Sequence, residues 1–166
     1  MLVPITVRRA KVGDVRQIKD LVDCYAGVVL LAKQLVTLYE DVQEFWVAER
    51  EGVVLGCGAL HVLWEDLAEI RTLAVRPDAV GQGVGNALVT QLVEQGRVLG
   101  LRRLFVLTFE ERFFSRHGFQ TIHGTPVAAE VYDEIRRSPD EGVAEFLDLP
   151  YVKPNTLGNT RMLREL

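Results

Sequence analysis

The sequence predicts an α/β fold, a mixed sheet flanked by helices, on three observations. Residues 45–61 read as a hairpin, residues 14–29 and 84–99 as two strongly periodic helices, and short strands alternate with helices after residue 66. A hairpin meander joined to βα units gives a sheet with both parallel and antiparallel neighbours.

Each element has its own signal. Ile5 to Arg9 is a short first strand, and Asp14 then opens a helix whose apolar residues Val15, Ile18, Leu21, Val22, Tyr25 and Val29 recur at spacings of three and four. Gly27 breaks that pattern, and Val28 to Thr37 reads as a loop or a second short helix. Phe45 to Glu49 and Val53 to His61 form the hairpin around Glu51-Gly52, and Leu67 to Val75 is a third long strand. Val84 to Leu99 is the second clear helix, stopped by Gly100. Leu104 to Leu107 is a compact apolar strand, followed by a short helix near Phe113 to His117, a strand at Phe119 to Ile122 and a last helix at Ala128 to Arg137. Beyond it, Pro139, Pro150 and Pro154 predict an irregular tail; Lys153 to Arg161 has turn chemistry, and the apolar end at Met162, Leu163 and Leu166 makes this stretch a candidate to return as a final strand.

Composition narrows the class. At 166 residues the chain reads as a single domain over 1–166, large enough to bury about 70% of its unfolded surface without disulfides or metal. Nineteen Lys and Arg against 23 Asp and Glu give a net charge of −4, which argues against a nucleic-acid partner. The longest apolar stretch, Ala26 to Ala32, is far short of the ~20 residues that cross a bilayer. Cys24 and Cys57 lie far apart, and the first residues carry no leader pattern, so a cytoplasmic protein without a membrane partner is expected.

One segment carries chemistry. Arg76-Pro77-Asp78-Ala79-Val80-Gly81-Gln82-Gly83-Val84-Gly85-Asn86 joins a strand to a strong helix. Its glycines permit positive φ, and its backbone N–H groups with the helix dipole suit a phosphate or pyrophosphate. The alternative is a tight turn that merely uses glycine. No Lys-Ser/Thr follows, and the glycine spacing is not that of a dinucleotide fingerprint.

The ordered set Leu73-Ala74-Val75-Arg76-Pro77-Asp78, Gly81-Gln82-Gly83-Val84-Gly85 and Phe113-Phe114-Ser115-Arg116-His117-Gly118-Phe119 resembles the GCN5-related N-acetyltransferase (GNAT) superfamily. The resemblance spans roughly residues 5–122 and implies the GNAT fold, an α/β (α+β) architecture with a mixed, mostly antiparallel central sheet flanked by helices. It implies acetyl-CoA as co-substrate and no metal. Leu73, Ala74 and Val75 would meet the pantetheine arm, and Gly81, Gln82, Gly83, Val84, Gly85 and Asn86 the pyrophosphate. Two departures stand out. Val80 replaces the usual Gln or Arg, which backbone binding does not need, and Phe114 replaces the usual general-acid tyrosine and cannot donate a proton.

Within the superfamily, Gly56-Cys57-Gly58-Ala59-Leu60-His61, Glu69-Ile70-Arg71-Thr72-Leu73-Ala74-Val75, Leu104-Phe105-Val106-Leu107-Thr108 and Gly27-x-x-Leu30-Leu31-x-Lys33 resemble the acetyltransferase domain of the N-acetylglutamate synthases. A phenylalanine at 114 belongs to that pattern. The resemblance is to the short, stand-alone type, with no room for a kinase-like domain. It implies acetyl transfer to the α-amine of glutamate, the first step of arginine biosynthesis, with glutamine differing by one charge.

The residues fit that chemistry. An α-ammonium must lose a proton before attack, and Glu69 is the candidate base; the alternative is a plain Glu69–Arg71 ion pair. Period-two alternation places Glu69, Arg71 and Leu73 on one face, subject to a bulge. The Val75 amide is the candidate oxyanion donor. Thr108 either reprotonates the thiolate or satisfies its hydroxyl on the local backbone. Lys33 and Arg71 are the candidate cations for the acceptor's carboxylates, with Lys33 standing where the synthases often carry Arg and Arg112 a weaker third. Thr160 and Arg161 come within reach if the C-terminal strand returns to the acceptor pocket.

His61, His117 and His123 lack ligand spacing, Cys57 reads as a small core residue, and Trp46 and Trp64 as packing residues. Two further functions share this fold: acetylation of protein or peptide N-termini, and non-catalytic sensing of acetyl-CoA. A homodimer is left open.

Overall fold

In a computed structural model, the structure describes residues 3–26, 30, 32–149 and 159–166. One seven-stranded sheet runs β1 (Thr6–Arg9), β2 (Phe45–Arg50), β3 (Val53–Trp64), β4 (Leu67–Val75), β5 (Arg103–Thr108), β7 (Thr160–Glu165) and β6 (Gln120–Thr121) in spatial order. Every neighbouring pair is antiparallel except β4 and β5, which are parallel. The helices are α1 (Val15–Asp23), α2 (Leu35–Glu40), α3 (Val84–Val98), α4 (Glu111–Arg116), α5 (Ala129–Ile135) and α6 (Glu141–Leu147). None of the described helices is long and apolar enough to cross a membrane.

Alternation along the strands explains the layers. On one face, Val89, Leu92 and Val93 of α3 and Phe114 of α4 pack on Leu60, Ala68, Ile70, Leu104 and Val106. On the other, α1 and α2 cover Phe45, Val47, Cys57 and Ala59, while α5 and α6 cover Leu63, Leu67 and Phe105. Glu51 and Gly52, both with positive φ, close the β2–β3 hairpin as a type I′ turn, whose twist matches the strands it joins.

The sheet is irregular in one place, and that place positions everything below. Thr72 has φ +55°. Ala74 pairs with Cys57 and Arg71 with Ala59, so Thr72 and Leu73 together face the single Gly58. This bulge reverses the alternation of β4. Glu69 and Arg71 lie on the α6 face, whereas Leu73 packs with the α3 core, which corrects the expectation that Leu73 shares their face. In the parallel pair, register holds only from Leu67–Arg103 to Glu69–Phe105. From Ile70 onward β4 and β5 diverge.

Other boundaries also differ from expectation. The first helix ends at Asp23, because Tyr25 leaves the helical path and its hydroxyl donates to Val75 O at 2.6 Å. The second helix begins only at Leu35. Gly27, Val28, Val29 and Leu31 lie outside the described residues, as does the proline-containing stretch 150–158. The strand expected at 119–122 is two residues long, since Phe119 turns into the core against Phe114. The tail is not irregular throughout: α6 starts two residues after Pro139, with Asp140 accepting from the Val143 N–H at 2.9 Å as its N-cap. The returning C-terminal strand is present as β7.

Gly56 lies where α3 presses on β3. A Cβ there would stand 2.7 Å from Val84 Cγ1, 3.0 Å from Leu88 Cδ1 and 3.1 Å from Ala74 O. Gly56→Ala is therefore expected to destabilise the fold by about 1–3 kcal/mol through overpacking, read as a lower urea midpoint at unchanged m-value.

Candidate functional site

The divergence of β4 and β5 opens a cleft of about 570 Å³. Its walls are the two strand ends, Ile70 to Val75 and Val106 to Thr108, with the glycine-rich turn at one end and α6 below. Past Glu69, the edge of β4 that faces β5 has no strand beside it. Its backbone polar groups need water or a ligand as partners.

The glycine-rich turn follows from its sequence. Pro77–Ala79 forms a single 3-10 turn, after which Gly81 (φ +85°) and Gly83 (φ +86°) take left-handed conformations that side chains resist. Gly83 is the N-cap of the 15-residue α3, so the first α3 amides are unpaired within the helix. Those amides and the positive dipole end favour an anion. Gly81, Gly83, Val84, Gly85 and Asn86 line the cleft, and so does Arg116. Gln82 does not; its side chain accepts from Arg50 at 2.8 Å and donates to Asp78 O at 3.3 Å. The Asn86 side-chain oxygen lies 2.9 Å from His117 Nε2. Phe113 closes over the loop so tightly that a Cβ on Gly85 would sit 3.3 Å from its ring.

At the acidic end, Glu69 is 4% exposed. Arg71 Nε donates to its Oε1 at 2.5 Å, and Arg71 Nη2 lies 2.8 Å from Asp140 Oδ1. Burial pushes the Glu69 carboxyl above its ordinary range, against the opposing pull of Arg71. Burial also raises the Glu145 carboxyl, which lines the cleft from α6. Lys33 faces the same space from the α1–α2 connection. Directly opposite Glu69 on β3 stands His61, whose Nδ1 lies 2.8 Å from Glu44 Oε1.

Thr108 is buried at the end of β5, and its Oγ1 accepts from the Glu110 N–H at 2.8 Å. The local backbone therefore uses its oxygen, as the second reading of this residue expects. Phe114 is 3% exposed and packs edge-on between Phe113 and Phe119, a purely apolar wall. Burial drives the Cys57 thiol up to about 12, so this cysteine is an inert core residue.

The fold therefore gathers Lys33, Glu69, Arg71, Leu73, Ala74, Val75 and Thr108 with the loop glycines around one cleft. It leaves Gln82, Thr160 and Arg161 beside it. Thr160 pairs with Thr108 on the neighbouring strand, and Arg161 donates from Nε to Gly124 O at 2.9 Å and from Nη2 to Phe146 O. The Arg161 guanidinium, stacked 5.0 Å from the Phe105 ring, holds α6 on the sheet rather than facing the cleft. Four participants escaped the sequence reading: Tyr25, Asp140, Gly142 and Glu145. For α6 a signal existed, an Asp N-cap followed by Val143, Phe146 and Leu147 at helical spacing.

Comparisons with known proteins agree with this geometry. The model of the Acetyltransferase (GNAT) family matches residues 16–120. The amino-acid acetyltransferase of Mycobacterium tuberculosis (strain ATCC 25618 / H37Rv) is 66% identical over 160 residues, covering 95% of this chain and 92% of that protein. A crystal structure of a Mycobacterium tuberculosis protein in complex with CoA and NLQ superposes with TM-score 0.95 at 65% identity, over 97% of this chain and 99% of that one. N-acetylglutamate synthase from Neisseria gonorrhoeae, complexed with coenzyme A and N-acetyl-glutamate, gives TM-score 0.78 at 27% identity; all of this chain matches 36% of that one.

Proposed function

The chain belongs to the acetyltransferase (GNAT) family, and we propose that it transfers an acetyl group from acetyl-CoA to the α-amine of a free amino acid, L-glutamate foremost, as the first step of arginine biosynthesis. The observation that carries this reading is one cleft with an anion-binding helix end at one extremity and a buried carboxylate at the other. The name and the ligands of the similar proteins support it.

Acetyl-CoA would lie along the open edge of β4. Its pyrophosphate meets the amides of 81–86 and the α3 dipole, and its pantetheine arm meets Leu73, Ala74 and Val75. The acceptor enters from the α2–α6 side, where Lys33 meets a carboxylate as a point charge. Arg71 is held by two carboxylates and Arg161 by two carbonyls, so Lys33 is the first cation for the substrate.

Glu69, directly or through one water, takes the proton of the α-ammonium, and the freed amine attacks the thioester carbonyl. The oxyanion that forms accepts from the Val75 N–H, an interaction worth about 10²–10³ in rate where such donors have been removed. As the carbon–sulfur bond breaks, the nitrogen sheds its second proton, which the Thr108 hydroxyl relays to the departing sulfur, so that Thr108 ends as a hydroxyl and CoA leaves as the thiol. Phe114 supplies none.

Release of free thiol from acetyl-CoA is the decisive measurement, with glutamate, glutamine, other amino acids and a peptide as acceptors. Turnover with glutamate is expected; turnover only with the peptide, or none, overturns the reading. Glu69 acts as base only when ionised, and its burial raises the pH at which it ionises. Activity should fall as pH drops through that raised value, above the ordinary ~4.3 of a glutamate. Glu69→Gln should lower kcat by about 10²–10⁴ and erase this acid limb, with CoA affinity unchanged.

Gly83→Ala tests the anion site. At φ +86° an L side chain costs roughly 1–2 kcal/mol, and the loop relieves it by moving its amides. Calorimetric titration should show CoA binding several-fold weaker, with kcat at saturating cofactor largely kept.

A further inference from the structure

We infer that Asp140 and Gly142, at the start of α6, are positioning residues that fix the Arg71 guanidinium between two carboxylates and so set how strongly it compensates the charge of Glu69. This inference rests on the reading of Glu69 as the base.

The guanidinium is shared. Its Nε donates to Glu69 Oε1 at 2.5 Å, while its Nη2 lies 2.8 Å from Asp140 Oδ1. That same Asp140 oxygen caps α6 by accepting from Val143 N at 2.9 Å. The helix therefore fixes where the second carboxylate stands. α6 in turn is anchored by buried Val143, Phe146 and Leu147, by the Phe105–Phe146 edge contact at 4.8 Å, and by Arg161 on the Phe146 carbonyl.

Gly142 provides the space. A Cβ there would lie 2.6 Å from Arg71 Cζ, 2.7 Å from Nη2 and 3.0 Å from Nε. All three atoms belong to the end of a flexible side chain. An added methyl would displace the guanidinium from its carboxylates without forcing the backbone apart.

The other charges around Glu69 are farther than hydrogen-bond reach or already paired. His61 of β3 faces it and bonds Glu44, with Asp41 beside them at the end of α2. Glu145 of α6 and Arg161 of β7 act on it at longer range. Among the described residues, Arg71 is the cation in direct contact, and Asp140 competes for it. Without that competition the full guanidinium charge would favour ionised Glu69 and make it a weaker base. With it, Glu69 keeps a proton affinity closer to that of the ammonium it must deprotonate.

Asp140→Asn separates charge from structure, because Asn is as good an N-cap as Asp. Profiles of kcat/KM against pH would be measured for the full chain and for Asp140→Asn, Gly142→Ala and Glu69→Gln, with CoA affinity measured alongside. In Asp140→Asn the acid limb should move down by about one pH unit, the plateau should fall a few-fold and CoA affinity should hold. In Gly142→Ala the limb should move up, as Arg71 leaves Glu69; should that variant not fold, Asp140→Asn decides alone. An Asp140→Asn profile whose limb stays in place, at full or uniformly reduced activity, overturns the inference while Glu69→Gln still erases the limb. A limb that survives Glu69→Gln overturns the base reading, and this inference with it.

Discussion

The bulge at Thr72 is the constraint on which the site depends. One extra residue in β4 reverses which side chains face which layer, so a single strand serves two compartments. Before it, Glu69 and Arg71 look toward α6; after it, Leu73 packs with α3 and Val75 reaches the glycine loop. A regular strand would have put Glu69 and Leu73 on the same side, and the polar pair would have shared a face with an apolar residue of the α3 core. The bulge also bends β4 away from β5, which is why a parallel pair that begins in register opens after three residue pairs. Opening a sheet strands backbone groups that a closed ladder would satisfy. Two of them are met locally: Tyr25 donates to the carbonyl of Val75, and the Cys57 thiol approaches the carbonyl of Thr72 at 3.4 Å.

Electrostatics then decides how the cleft works. A chain of net charge −4 does not draw an anionic substrate from a distance. Around the Glu69 end of the cleft, Lys33 and Arg71, with Arg161 beside them, stand with Glu69, Asp140 and Glu145. Two of those three cations are committed, one to carboxylates and one to carbonyls. The buried Glu69–Arg71 pair is a poor device for stability, since desolvating both charges offsets most of their attraction. With Glu69 as the proposed base, its worth would lie in holding a carboxylate at a fixed place and a tuned proton affinity. That a third group, Asp140, shares the cation is understandable on the same terms.

Much of this was legible in the sequence, for physical reasons that differ by element. The hairpin, β4 and α3 were readable because long periodic runs are bounded by residues with strong conformational demands, Gly52, Gly83 and Gly100 among them. The glycine loop announced both its backbone and its ligand class. Adjacent positions Glu69 and Arg71 were correctly placed together because two residues of alternation lie before the bulge. Leu73 was not, since a β-branched threonine at φ +55° is the last residue type a reader expects there. α6 was hidden by its brevity: two turns give too few repeats for periodicity, and Pro139 argued for a break that in fact precedes an N-cap. Arg161 looked like a substrate cation because sequence cannot tell a guanidinium aimed at a ligand from one aimed at a carbonyl.

The absence of a hydroxyl at 114 finds its sense in the same geometry. The ring of Phe114 is locked edge-on between two other phenylalanines and belongs to the α3 core, so its contribution is packing. Thr108, by contrast, ends the strand that diverges from β4, and the Glu110 N–H donates to its hydroxyl oxygen. Glu69 on β4 and Thr108 on β5 stand on opposite walls of one cleft, so the proposed reaction divides proton removal and proton return between those walls. The width of the opening left by the bulge separates them. A thioester lying in that gap would have its nitrogen nucleophile deprotonated from one side and its sulfur protonated from the other. Neither group need move between the two steps, which is the condition for preorganised rather than induced catalysis.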